Sequence, residues 1–82
     1  MPDPTSWYAI EPGWVVRGAD GAVIGTVSDV LGDEELDIFH GLVASFWVGT
    51  REVPAEMVTG ISTGQIELRI GANDVRGLVK SR

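Results

Sequence analysis

The sequence predicts an all-β fold, a small and strongly curved antiparallel β-barrel followed by a short C-terminal helix, and three observations predict it. First, Asp20-Gly21 stands between two runs rich in β-branched residues. Asp-Gly in that setting is a strong hairpin signal, because glycine tolerates φ > 0. Second, Ile24, Val27 and Val30 are spaced by three, which the period of a flat strand does not allow. Val, Ile and Thr favour strand over helix, so the strand must bend, with Gly25 marking a bulge or a close backbone approach. Third, residues 65–70 alternate without a break, Ile66, Leu68 and Ile70 inward and Gln65, Glu67 and Arg69 outward.

Length and composition bound the rest. Eighty-two residues make one domain near the lower limit of what folds alone, burying only about 60% of its unfolded surface. With no cysteine in the chain, neither disulfides nor a thiolate zinc site supplement the core. Hydrophobic burial has to suffice, or a second subunit has to help. Twelve acidic against six basic residues give a formal net charge of −6, which repels phosphate backbones and argues against nucleic acid as a partner. Solubility is the plain reason for such a surface; attraction of a basic partner is the sharper one. No apolar run approaches the roughly 18 residues of a membrane span, so membrane insertion is not expected. Residues 1–6 carry neither a basic stretch nor an apolar one, and the expected location is cytoplasmic.

In chain order, residues 1–12 form a tail and residues 13–82 the domain. The tail begins with two prolines and polar neighbours, then places Trp7, Tyr8 and Ile10 before a turn at Glu11-Pro12-Gly13. A cluster of that size docks somewhere. It caps the open end of its own barrel or packs on a second copy, and the residues leave both open. Residues 14–17 and 23–30 are the two arms of the first hairpin.

Residues 32–37 interrupt the β pattern with the carboxylates of Asp33, Glu34, Glu35 and Asp37. Hard cations take such oxygens, but the ligand order of an EF-hand is missing, and a solvated loop is the expectation. Residues 38–48 are the longest β candidate. Leu42, Ala44, Phe46 and Val48 share one face, and Val43, Ser45 and Trp47 the other, so a strand covered on both sides is expected, one face by the barrel interior and the other by a helix, the tail or a partner chain. His40 stands without a second histidine or a cysteine and reads as an ordinary strand residue.

Residues 51–54 form a brief strand ended by Pro54, and residues 55–58 a single helical turn. Residues 65–70 are the alternating strand. Near the end, Asn73 is placed to cap a short helix carrying Val75, Leu78 and Val79 on one side, with Gly77 limiting its length and the basic residues of 80–82 at its C-terminus.

With these residues in view, the chain resembles the PRC-barrel superfamily, the small barrels named for the cytoplasmic domain of the photosynthetic reaction centre H subunit. The resemblance covers residues 13–70. It rests on Val15-Val16 before Asp20-Gly21, on Ile24-Gly25 with Val27, Asp29 and Val30, on Val53-Pro54-Ala55-Glu56 with Val58, and on Ile61 with Gly64, Ile66 and Leu68. It implies a barrel of about five or six strands in a family that works through protein contacts. No shared catalytic residue comes with that family, and none is carried over.

No spacing of His40 with the Asp33–Asp37 carboxylates sets a nucleophile, a base and an oxyanion donor together. No catalytic, cofactor or metal-binding residue is therefore expected, and the predicted function is that of an interaction or adaptor module acting through protein contacts. The alternatives are an accessory role in ribosome or RNA maturation, which the charge opposes, and less directly a small enzyme or ligand-binding subunit. Trp7, Tyr8, Ile10, Val43 and Trp47 are left over once the inward faces are filled, and they are the candidate interface. An apolar patch of that kind predicts a symmetric homodimer; the competing expectation is a tail folded back over Trp47 to seal a monomer.

Overall fold

The computed structural model describes residues 6–80, so the expectations for the tip at residues 1–5 and for residues 81–82 lie outside the described residues. Among the described residues seven strands form one sheet: β1 (Val15–Arg17), β2 (Val23–Asp33), β3 (Ile38–Phe46), β4 (Gly49–Pro54), β5 (Val58–Ser62), β6 (Gln65–Leu68) and β7 (Val79–Lys80). Their order across the sheet is β5-β6-β1-β2-β3-β4-β7. All neighbours are antiparallel except β1 and β6, which run parallel with Val15 beside Gln65.

The curvature follows from the spacing by three. Against β1, Val16 faces Gly25 and Arg17 faces Val23, so Ile24 is an extra residue; against β3, Val27 faces Ala44 and Asp29 faces Val43, so Ser28 is another. Each bulge shifts the alternation by one position. Ile24, Val27 and Val30 consequently all turn toward the core. The sheet curls into a half-barrel, and its connections show how far. β4 and β5 have four strands between them in the sheet, yet only the 3-10 turn Ala55–Met57 joins them.

Gly25 is the position that the bend makes intolerant. Its φ is not in the left-handed region, but a Cβ added there would run into the Ser45 carbonyl and stand 2.7 Å from Cδ1 of Phe46. Gly25→Val should therefore lower stability by about 1–3 kcal/mol. Denaturant unfolding reads this directly, and an unmoved midpoint would show that the strand can shift to make room.

Inside the curl lie Val16, Val27, Leu42, Ala44, Phe46, Val53, Ile66 and Leu68, with Ile10 and Val75 added from outside the main strands. The inward set of β6 and that of β3 were both readable from alternation. On the opposite face of β3, Val43 is half-buried and Ser45 and Trp47 are exposed within the single chain. Among the described residues neither a helix nor the aromatic tail covers that face.

Two further expectations change. The sheet has seven strands instead of five or six, because Val58–Ser62 and Val79–Lys80 also pair. The C-terminal helix is replaced by a 3-10 turn at Val75–Gly77. Its bonds run from Gly77 N to Asp74 O and from Leu78 N to Val75 O, and Asn73 is not the cap. Once Val75 is buried at 0% exposure, the β-branched Val79 extends the chain beside Glu52, where an extended edge gains ladder hydrogen bonds that an isolated short helix could not match.

Candidate interaction surface

The aromatic tail settles on its own chain. Residues Trp7–Ala9 make one 3-10 turn, and Ile10 enters the core at 7% exposure. Trp7 stacks on Phe39 with ring centroids 5.7 Å apart and on Tyr8 at 4.4 Å. At the β2–β3 turn, Asp37 adopts φ 54° and presents one carboxylate oxygen to both tail residues. The Tyr8 hydroxyl donates to it at 2.6 Å, and the Trp7 indole N–H donates to it at 3.2 Å. The carboxylate-rich loop is shorter than expected, since β2 runs on through Asp33, whose Oδ1 accepts the Leu36 N–H.

These bonds have a pH signature with a sign. The Tyr8 bond, then the Trp7 bond, hold the Asp37 carboxyl below its ordinary range; the same bond to Asp37, with desolvation and the charges of Asp37, Glu34 and Asp33, pushes Tyr8 up to about 12. A depressed acid contributes stability above its ordinary value and loses it as pH falls through the depressed one. A raised phenol contributes stability below about 10 and loses it as pH rises through its folded value. Tyr8 is the chain's single tyrosine, so tyrosinate absorbance reads it alone. The midpoint should lie near 12 and fall toward about 10 in Asp37→Asn; equal midpoints in the two proteins would mean that the tail is not held by this carboxylate.

Trp47 sits elsewhere, in the β3–β4 turn. Trp7 and Tyr8 are held at the Asp37 turn before β3, while Trp47 follows the other end of that strand against Ala72 and Arg76, so the tail does not fold over Trp47. Its indole N–H donates to the Ala72 carbonyl at 3.3 Å, and the Arg76 guanidinium lies 4.5 Å from its ring centroid, yet it remains 59% exposed. Of the five expected interface residues, Trp7 and Tyr8 lie together at the Asp37 turn, Ile10 is core, Val43 is mid-strand on the outer face, and Trp47 is at the far turn. The structure does not gather them into one patch.

It gathers others. Across the outer face, Leu31, Gly41 and Pro54 form one cross-strand row, and Asp29, Val43, Glu52 and Val79 form the next. His40 is the extra residue of a bulge, since Leu31 faces Gly41 while Gly32 faces Phe39. A bulge re-aims the side chain it carries, and His40 joins Leu31, Pro54, Met57, Leu78 and Val79 around a cleft of about 440 Å³, with Glu52 as its carboxylate. Val79 at its rim is 67% exposed. Apart from His40, whose neighbours in space no spacing revealed, sequence reasoning missed this cleft. It is assembled from β2, β3, β4, the Ala55–Met57 turn and a β7 that the sequence reads as helix.

No protein-family model matches the chain, and no curated protein matches it. Among the described residues no helix is long and apolar enough to cross a membrane.

Proposed function

We propose that this domain is a protein-interaction module of the PRC-barrel kind, without catalytic chemistry of its own, and that it works through the outer face beside β7. The observation that carries the reading is the apolar cleft of about 440 Å³ with Val79 two-thirds exposed at its rim. Exposed apolar surface framed by polar groups is a common mark of a contact site. The test is affinity capture from a native lysate with the intact chain and with Val79→Asp. Proteins retained by the first and lost from the second support the reading; identical retained sets overturn it.

A symmetric homodimer is the second reading, and Trp47 is what favours it. A tryptophan 59% exposed beside Arg76 offers the aromatic and cationic groups enriched at interfaces. Sedimentation equilibrium over a hundredfold range of concentration decides. A mass of one chain throughout removes the dimer, whereas a rising mass that Trp47→Glu abolishes establishes it.

A further inference from the structure

We infer that the cleft binds an extended peptide segment that adds to the β7 edge, places one apolar side chain between Pro54, Met57 and Leu78, and sets a lysine or arginine against Glu52. The inference rests on the interaction reading and names the chemistry of the partner.

Three features point to this occupant. β7 is the terminal strand of the sheet among the described residues, paired with β4 only at Arg51–Lys80 and Glu52–Val79. A terminal strand presents backbone N–H and C=O groups on its outer side, which is the template that strand addition uses. An added strand would send alternate side chains to the face where Glu52 and Val79 share a row, so the cleft and the edge are read by one segment. Charge supplies the third feature. Glu52 is half-buried in the cleft wall, Asp29 lies in the same cross-strand row, and the chain carries −6 overall, so a cation is the complementary group.

Other occupants fit less well. Small ligands are held where roughly 70–90% of their surface is buried, but here Val79 and His40 leave the mouth open. A second copy, itself of net charge −6, would bring another Glu52 and Asp29 against the same carboxylates. A peptide gains from the edge what it lacks in enclosure.

The experiment uses the full chain, nitrogen-labelled, and two acetylated peptides, one alternating lysine with valine and leucine and one with glutamate in place of each lysine. Amide shifts on titration should map to Glu52, Met57, Leu78 and Val79 with the lysine peptide, and the glutamate peptide should bind at least about tenfold more weakly. Glu52→Gln should weaken the lysine peptide about tenfold while leaving the unfolding midpoint in place, since the side chain is only half-buried. Equal binding of both peptides, shifts confined to another face, or a small amine such as benzylamine binding as tightly as the peptide would overturn the inference. So would cleft shifts that appear on concentrating the protein alone, which would give the cleft to a second copy. If the lysine peptide fails while Val79→Asp still loses partners from the lysate, the ligand chemistry is wrong and the interaction reading stands.

Discussion

Gly41→Ala should lower stability by about 3 kcal/mol or more, near the top of what a single substitution does. Gly41 follows the His40 bulge, has φ 145°, and is buried between Leu31 and Pro54. A Cβ there would collide with the Val53 carbonyl and stand 3.1 Å from Cα of Pro54. Both obstacles are backbone, so relief requires β4 to move away from β3. Since the whole domain is held by only about 4–12 kcal/mol on general scaling, the loss takes a large share. Urea unfolding checks it, and a midpoint close to that of the parent would mean that the bulge can relax.

Leu42→Ala, one residue on, should cost about 3 kcal/mol for a different reason. Leu42 is wholly buried, with Val53 opposite it on β4 and Val30 opposite it on β2. Removing a fully enclosed leucine loses its transfer free energy and leaves a cavity, typically about 2–5 kcal/mol together. Leu36, 67% exposed at the β2–β3 turn, is the internal control; its alanine variant should stay within about 0.5 kcal/mol. Thermal unfolding of the pair compares burial with exposure in one molecule, and equal shifts would place the core elsewhere. The Gly41 and Leu42 effects should not add, because both act on the same β3–β4 seam.

What could be read from the sequence was whatever a local pattern encodes. The inward faces of β3 and β6, the Asp20-Gly21 hairpin and the tightness at Gly25 are each set by neighbours within a few residues. Gly25 was legible because a three-residue spacing in β-branched company has few explanations other than a bend. β7 was not legible: two residues have no periodicity, and they become a strand only because Arg51 and Glu52, nearly thirty positions earlier, offer an edge. The tail could be expected to dock, but its address depends on Asp37 taking a left-handed backbone at a turn. The cleft was hidden for a related reason. Glu52 and Val79 each look like ordinary alternating residues, and only register places them side by side.

The parallel pairing of β1 with β6 sets an order in time. β2, β3 and β4 are joined by short turns and can pair as soon as they leave the ribosome, but β1 meets its second neighbour only when Gln65 arrives, fifty positions after Val15. Closing so long a loop costs entropy before any contact is gained, which slows folding. Until then the emerging chain exposes the outer edge of β1, whose central Val16 is wholly buried in the finished protein. Synthesis that stalls before β6 therefore releases a partial sheet with an apolar, unpaired edge, the form most prone to join another unfinished copy.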